Sequence, residues 1–127
     1  MKVPSFFVKK VIVKGSFKNV MMGDKKAGFE LAIRNKIGLG TLIGCRPVTI
    51  NGKEYRIDKL LLIKDGKEYK AAEISESMPL TIRFGDEIVL RMMNDVGLEP
   101  GSYEISTGIN LVSVGWVEFS YKDDLKE

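Results

Sequence analysis

The chain has 127 residues, 44% hydrophobic and 29% charged, with a formal net charge of +3 and no histidine. A chain of this size and balance can bury one sizeable core, which excludes global disorder. Lack of imidazole removes the commonest general base and metal ligand, and a single cysteine, Cys45, rules out an internal disulfide and any multi-cysteine metal site.

Residues 1–10 hold one short apolar patch, Phe6-Phe7-Val8, followed by lysines. This lacks the long apolar stretch and cleavage site of a secretory leader, and no run approaches the ~20 apolar residues of a membrane helix. The expectation is a cytoplasmic protein with no membrane association. In 11–20, Val11, Val13 and Phe17 share one parity, and in 28–34 Phe29, Leu31 and Ile33 do the same. Period two is the signature of a strand, since successive side chains point to opposite faces. A polar, glycine-bounded turn at 23–28 separates the two segments. The stretch 48–55 reads as a hairpin because Asn51-Gly52 supplies the two positive-φ positions of a type I′ turn, and 60–69 repeats the device with Asp65-Gly66. Residues 71–76 are the one helical candidate, stopped by Met78-Pro79 because the residue before proline avoids the α region. Alternation returns in 80–84, and 87–93 reads as a more buried strand. A Pro100-Gly101 turn precedes two closing strands, 103–114 and 116–121. These elements predict an all-β fold: one domain over 1–127, an antiparallel β-sandwich (jelly-roll-like) of eight or nine strands with at most one short helix. Residues 1–6 and 122–127 are expected to be flexible ends.

Segment 35–46 breaks the alternation, with three glycines among exposed-looking apolar residues. Such a loop either folds over the open end of the sandwich or docks onto another chain. Ile37, Leu39, Leu42, Ile43 and Arg46 are therefore candidate partner-facing residues. Trp116 joins them, since a tryptophan directly after Gly115 marks a bulge or close approach and is a common interface anchor. No other pattern carries chemistry. Gly38, Gly40 and Gly44 are spaced one residue wider than a dinucleotide fingerprint, with no long helix behind them. Cys45 beside Arg46 lacks the histidine that usually activates a thiol and reads as a small packed side chain. Asp86-Glu87 and Asp123-Asp124 are adjacent, so on strands they diverge and make no acid–base dyad. No catalytic, cofactor-binding or metal-ligating residue is assigned.

Charge is uneven along the chain. Residues 1–70 carry 16 basic against 6 acidic residues, +10, and residues 71–127 carry 4 against 11, −7. The lysines are scattered, with no block longer than two, so they read as a solvated face and not as a nucleic-acid surface. Two alternatives stay open on composition: a stand-alone carbohydrate-binding sandwich with an exposed aromatic platform, and an oligonucleotide-binding barrel using the basic half.

The order of the pieces adds a resemblance. Gly15-Ser16-Phe17-Lys18-Asn19-Val20, a polar turn, then Ala27-Gly28-Phe29-Glu30-Leu31-Ala32-Ile33-Arg34 resembles the opening of the small β-subunits of bacterial C-glycoside deglycosidases. Val48-Thr49-Ile50-Asn51-Gly52-Lys53-Glu54-Tyr55 is similar to that family's Asn/Asp-Gly strand pair. Phe84-Gly85-Asp86-Glu87-Ile88-Val89-Leu90-Arg91 and Gly97-Leu98-Glu99-Pro100-Gly101-Ser102-Tyr103-Glu104-Ile105 are similar to its late strand and Gly-Leu-x-Pro-Gly turn. The likeness spans roughly residues 11–121, and loop 35–46 departs most, since members often carry tyrosines, arginine and proline there. The resemblance implies a subunit of a heteromeric carbon–carbon lyase acting on 3-oxo-C-glucosides of flavonoids or related phenolics. It further implies a xylose-isomerase-like TIM-barrel α-subunit as partner, carrying the catalytic histidine and a divalent metal, usually manganese, with no cofactor on this chain.

Overall fold

The computed structural model describes residues 2–36 and 38–126. Helix α1 (Ser5–Val11) is followed by β1 (Lys18–Met22), β2 (Lys25–Arg34), β3 (Gly40–Cys45), β4 (Thr49–Ile50), β5 (Lys53–Glu54), β6 (Leu60–Lys64), β7 (Lys67–Lys70), β8 (Leu80–Ile82), β9 (Glu87–Met93), β10 (Gly101–Leu111) and β11 (Gly115–Leu125). The strands form two antiparallel sheets. One has the order β1-β2-β9-β6-β7; the other has the order β5-β4-β10-β3-β8, with β11 on the remaining edge of β10. The molecule is an all-β sandwich, as its alternation and turns predict. It has more strands than the eight or nine expected, because β4, β5 and β8 are only two or three residues long and β3 lies where a loop was expected.

The hairpins form where local turn chemistry dictates. Asn51 and Gly52 have φ of 50° and 83°, and Asp65 and Gly66 have 53° and 76°, so each pair supplies the two left-handed positions of the turn. The core lies between the sheets. Phe29 and Leu31 of β2, Leu60 and Leu62 of β6 and Met92 of β9 face Leu42, Ile50, Leu80 and Ile105 of the other sheet. Each fully buried leucine contributes roughly 1.5–3 kcal/mol. Edge-to-face pairs close the sides: Phe29 with Tyr55 at 5.2 Å and Phe17 with Tyr103 at 6.1 Å between centroids.

Strand β10 is the hub of its sheet. One edge pairs with β11 along its whole length; the other meets β4 at Ile105 and Ser106, then β3 from Ile109 to Leu111. Pro47 stands between those two strands, where a residue without an N–H interrupts the ladder. The Arg46 N–H still reaches the Gly108 carbonyl at 2.9 Å. The register shifts between Asn110 and Leu111, which leaves Ile43 as a bulge.

Three expectations are corrected. The helix is not at 71–76, where only a single 3₁₀ turn forms at Ala71–Glu73, but at Ser5–Val11. Residues 11–17 therefore do not open a strand. Val8 and Ile12 are one helical turn apart and both buried; α1 packs beside β11, and Ile12 bridges to Ile33 of β2. A seven-residue helix is held by this packing, not by propensity. The expected polar tail at 122–127 instead continues β11 through Leu125, which is 1% exposed, and at the other terminus Lys2 bridges to Glu118.

Candidate partner-binding end of the sandwich

Segment 35–46 divides in two. Asn35 anchors its first part. The Asn35 N–H donates to the Asp86 carbonyl at 2.8 Å, and its own carbonyl accepts from Gly85 N–H at 2.7 Å. Its side-chain Nδ2 donates to the carbonyls of Gly38 and Arg83, at 2.6 and 3.0 Å. The loop after β2 is thereby tied to the turn between β8 and β9. Asp86 fixes that turn from within, since its carboxylate accepts the Arg83 N–H at 2.7 Å and lies 3.6 Å from Lys64 Nζ. The Arg83 hydrogen bond, and then the Lys64 charge, hold the Asp86 carboxyl below the ordinary carboxylate range against some desolvation.

These pinned loops hold up apolar side chains. Leu39 is 76% exposed and Phe84 70% exposed. In the neighbouring turn between β10 and β11, Val112 and Val114 are also exposed. That turn is joined to β3 by the Val112 N–H, which donates to the Thr41 carbonyl at 3.0 Å. Because the strand order here is β10-β3-β8, the three tips stand side by side at one end of the sandwich.

The second part of the segment is strand, not loop. Strand alternation turns Leu42 into the core at 2% exposure, so it is not a partner-facing residue. Ile43, the bulged residue, is half-buried. Ile37 lies outside the described residues. Arg46 is exposed on the outer face of the sheet, and Trp116 is half-buried there.

Those two side chains cross over the sheet. Trp116 pairs in register with Asn110, which pairs with Gly44. The indole reaches over the strand between and lies against Gly44, its edge 3.3 Å from where a Cβ would stand. Arg46 runs the opposite way over Gly108, where a Cβ would stand 3.2 Å from its Cδ. Its guanidinium carbon sits 4.3 Å from the Trp116 ring centroid, and its Nε lies 3.5 Å from Glu118 Oε1. Glycine at 44 and 108 is what lets both side chains lie down. Trp116 is therefore a brace across three strands and not an open platform for a sugar ring.

Elsewhere the chemistry is sparse. Burial pushes the Cys45 thiol up to about 11, the opposite of an activated thiolate. A shallow depression of about 440 Å³ at the far end is lined by Asn51, Glu104, Lys122, Asp123 and Asp124, among others. Among the described residues, no group of three or more His, Cys, Asp or Glu side chains is placed to hold a metal ion.

Comparison with known families decides the identity. A family model described as C-glycoside deglycosidase beta subunit matches residues 7–114. The chain belongs to this family. No curated protein matches it. A β-subunit of a deglycosidase implies a hetero-oligomeric partner. In this family member, sequence reasoning missed Phe84, Val112 and Val114. The available signal was a large apolar residue in a glycine turn, Phe84-Gly85, and two valines flanking Ser113 in a tight turn. Among the described residues, no helix is long and apolar enough to cross a membrane.

Proposed function

We propose that this chain is the non-catalytic β-subunit of a heteromeric C-glycoside deglycosidase, a carbon–carbon lyase that cleaves 3-oxo-C-glucosides of flavonoids or related phenolics in the cytoplasm. The observation that carries the reading is the family match over residues 7–114 of a chain that contains no histidine. The catalytic base and a divalent metal, manganese, then belong to a xylose-isomerase-like TIM-barrel α-subunit. When bound there, the metal supplies Lewis-acid polarisation of the sugar carbonyl. The contribution of this chain is mechanical. Its hydrogen-bonded loops hold the partner's loops in place and exclude water from the entrance to the site, and misplacement by about 1 Å is enough to cost on the order of 10²-fold in rate.

The test is reconstitution on a 3-oxo-C-glucoside, following release of the aglycone. Both subunits together are expected to turn over, with the α-subunit alone slower by on the order of 10²-fold. Turnover by this chain alone after chelation, or full activity of the α-subunit without it, contradicts the reading.

A further inference from the structure

We infer that the end of the sandwich bearing Leu39, Phe84, Val112 and Val114 is the surface that seats the larger subunit, on an apolar hollow of that subunit rimmed by carboxylates. This rests on the β-subunit reading and adds to it where the partner binds. Four exposed apolar side chains on three adjacent tips form a patch of the kind that soluble proteins keep for interfaces. Phe84 is the aromatic anchor, the side-chain type that carries binding energy at the centre of such contacts.

The patch is also built in advance. Asn35 holds Gly38, Arg83, Gly85 and Asp86 through backbone and side-chain hydrogen bonds, and Asp86 closes the turn under Phe84. The neighbouring turn begins at Leu111 and ends at Gly115, directly before the braced Trp116. Loops already fixed lose little freedom on docking, which favours affinity.

Charge selects the partner's chemistry. Around this end Arg34 is paired with Glu87 at 2.9 Å, and Lys64 with Asp65 and Asp86. Lys36 and Arg83 are exposed and make no salt bridge among the described residues, so the rim presents two cations to an incoming surface. A carboxylate-bearing rim on the larger subunit answers them and steers the encounter. The opposite end also exposes apolar side chains, Met21, Met22 and Val96, where Asp24, Asp95 and Glu99 stand with Lys25 and Lys26, the strand partners of the two methionines. That end carries both signs of charge, with Lys26 lying 3.8 Å from Glu99, and it is the competing docking site.

The experiment is co-elution on size exclusion with the xylose-isomerase-like α-subunit of the same genome, each variant first checked for a native thermal transition. Wild type is expected to co-elute. Leu39→Asp/Phe84→Asp is expected to elute apart, as is the milder Val112→Ser/Val114→Ser, which changes only an exposed turn. Met22→Asp/Val96→Asp at the far end is expected to co-elute as wild type does. Lys36→Glu/Arg83→Glu is expected to slow association at least tenfold at low salt and to reverse its salt dependence, since salt then screens a repulsion. Co-elution of both apolar double variants overturns the assignment of this end, and loss of binding confined to Met22→Asp/Val96→Asp moves the interface to the other. Separate elution of the wild-type pair overturns the β-subunit reading, and this surface with it.

Discussion

At one end of the sandwich Asn35 ties a loop to a turn; at the other Asn19 ties strand β1 to the segment between β9 and β10. Asn19 is buried, and its amide pairs with Leu98 as a strand would: Nδ2 donates to the Leu98 carbonyl and Oδ1 accepts the Leu98 N–H, both at 2.8 Å. Gly97 has φ of 61°, and a Cβ there would stand 2.6 Å from Asn19 Oδ1, so glycine permits the close approach. Asn35 works in a half-exposed position, with its backbone carrying part of the load. Both ends are thus pinned by a side-chain amide acting as a piece of backbone. The difference lies in what is displayed. The Asn35 end lifts Leu39 and Phe84 into solvent between cations, and the Asn19 end presents carboxylates around a shallow depression. Rigidity is common to both ends, so chemistry and not stiffness distinguishes them as binding surfaces.

Removing each amide is the strongest way to break that comparison. Asn19→Ala leaves the buried Leu98 N–H without its acceptor and is expected to destabilise by roughly 2–3 kcal/mol. Asn35→Ala keeps its main-chain bonds and is expected to lose about 1–2 kcal/mol. Urea denaturation of the two variants measures both; equal losses would erase the distinction between a buried and a surface pin. Next in size is the brace beside the apolar end. Arg46→Ala removes the guanidinium from the Trp116 ring and is expected to lower stability by about 0.5–1 kcal/mol, with a change in tryptophan emission. An unchanged spectrum would mean that the ring does not rest under the guanidinium.

Cys45 tests whether the strand carrying that brace is closed. With its thiol pushed up to about 11 from an ordinary 9.0, reaction with a thiol reagent at pH 8 is expected to run about a hundredfold slower in the folded chain than in urea. The raised value also sets a sign. The unfolded thiol ionises first, so the stability it contributes is full below pH 9 and is lost as pH rises toward 11. The smallest effect belongs to Asp86. Its carboxyl is depressed, so its contribution is present above the ordinary carboxylate range and is lost as pH falls through the folded value. Protection of the Arg83 amide, taken relative to its intrinsic exchange rate at each pH, is expected to fall on acidification below about pH 4. No change there would mean that the carboxylate does not hold the turn.

Much of the fold was legible because its signals are local. Asn51-Gly52 and Asp65-Gly66 need only their own backbone angles to make a turn, and Phe29 and Leu31 need only alternation to find the core. Elements that depend on distant partners were not legible. Helix α1 is short, and its stability comes from Val8 packing where β11 passes. Strand β3 hid because the bulge at Ile43 breaks its parity and Pro47 ends its ladder. The site was legible only in part. Leu39 and Trp116 stand out in sequence, yet Leu42 is turned inward by the strand that contains it, and Trp116 is laid flat against Gly44, two strands away. Phe84 and Val112 meet Leu39 only through the order β10-β3-β8, which no local pattern encodes.

Hydrogen–deuterium exchange on this chain, with and without the α-subunit, tests the central claim most directly. The account predicts slowed exchange at 35–40, 83–86 and 111–116, and unchanged exchange at 20–25 and 94–100. Protection confined to the Asn19 end, or none anywhere in the mixture, would contradict it.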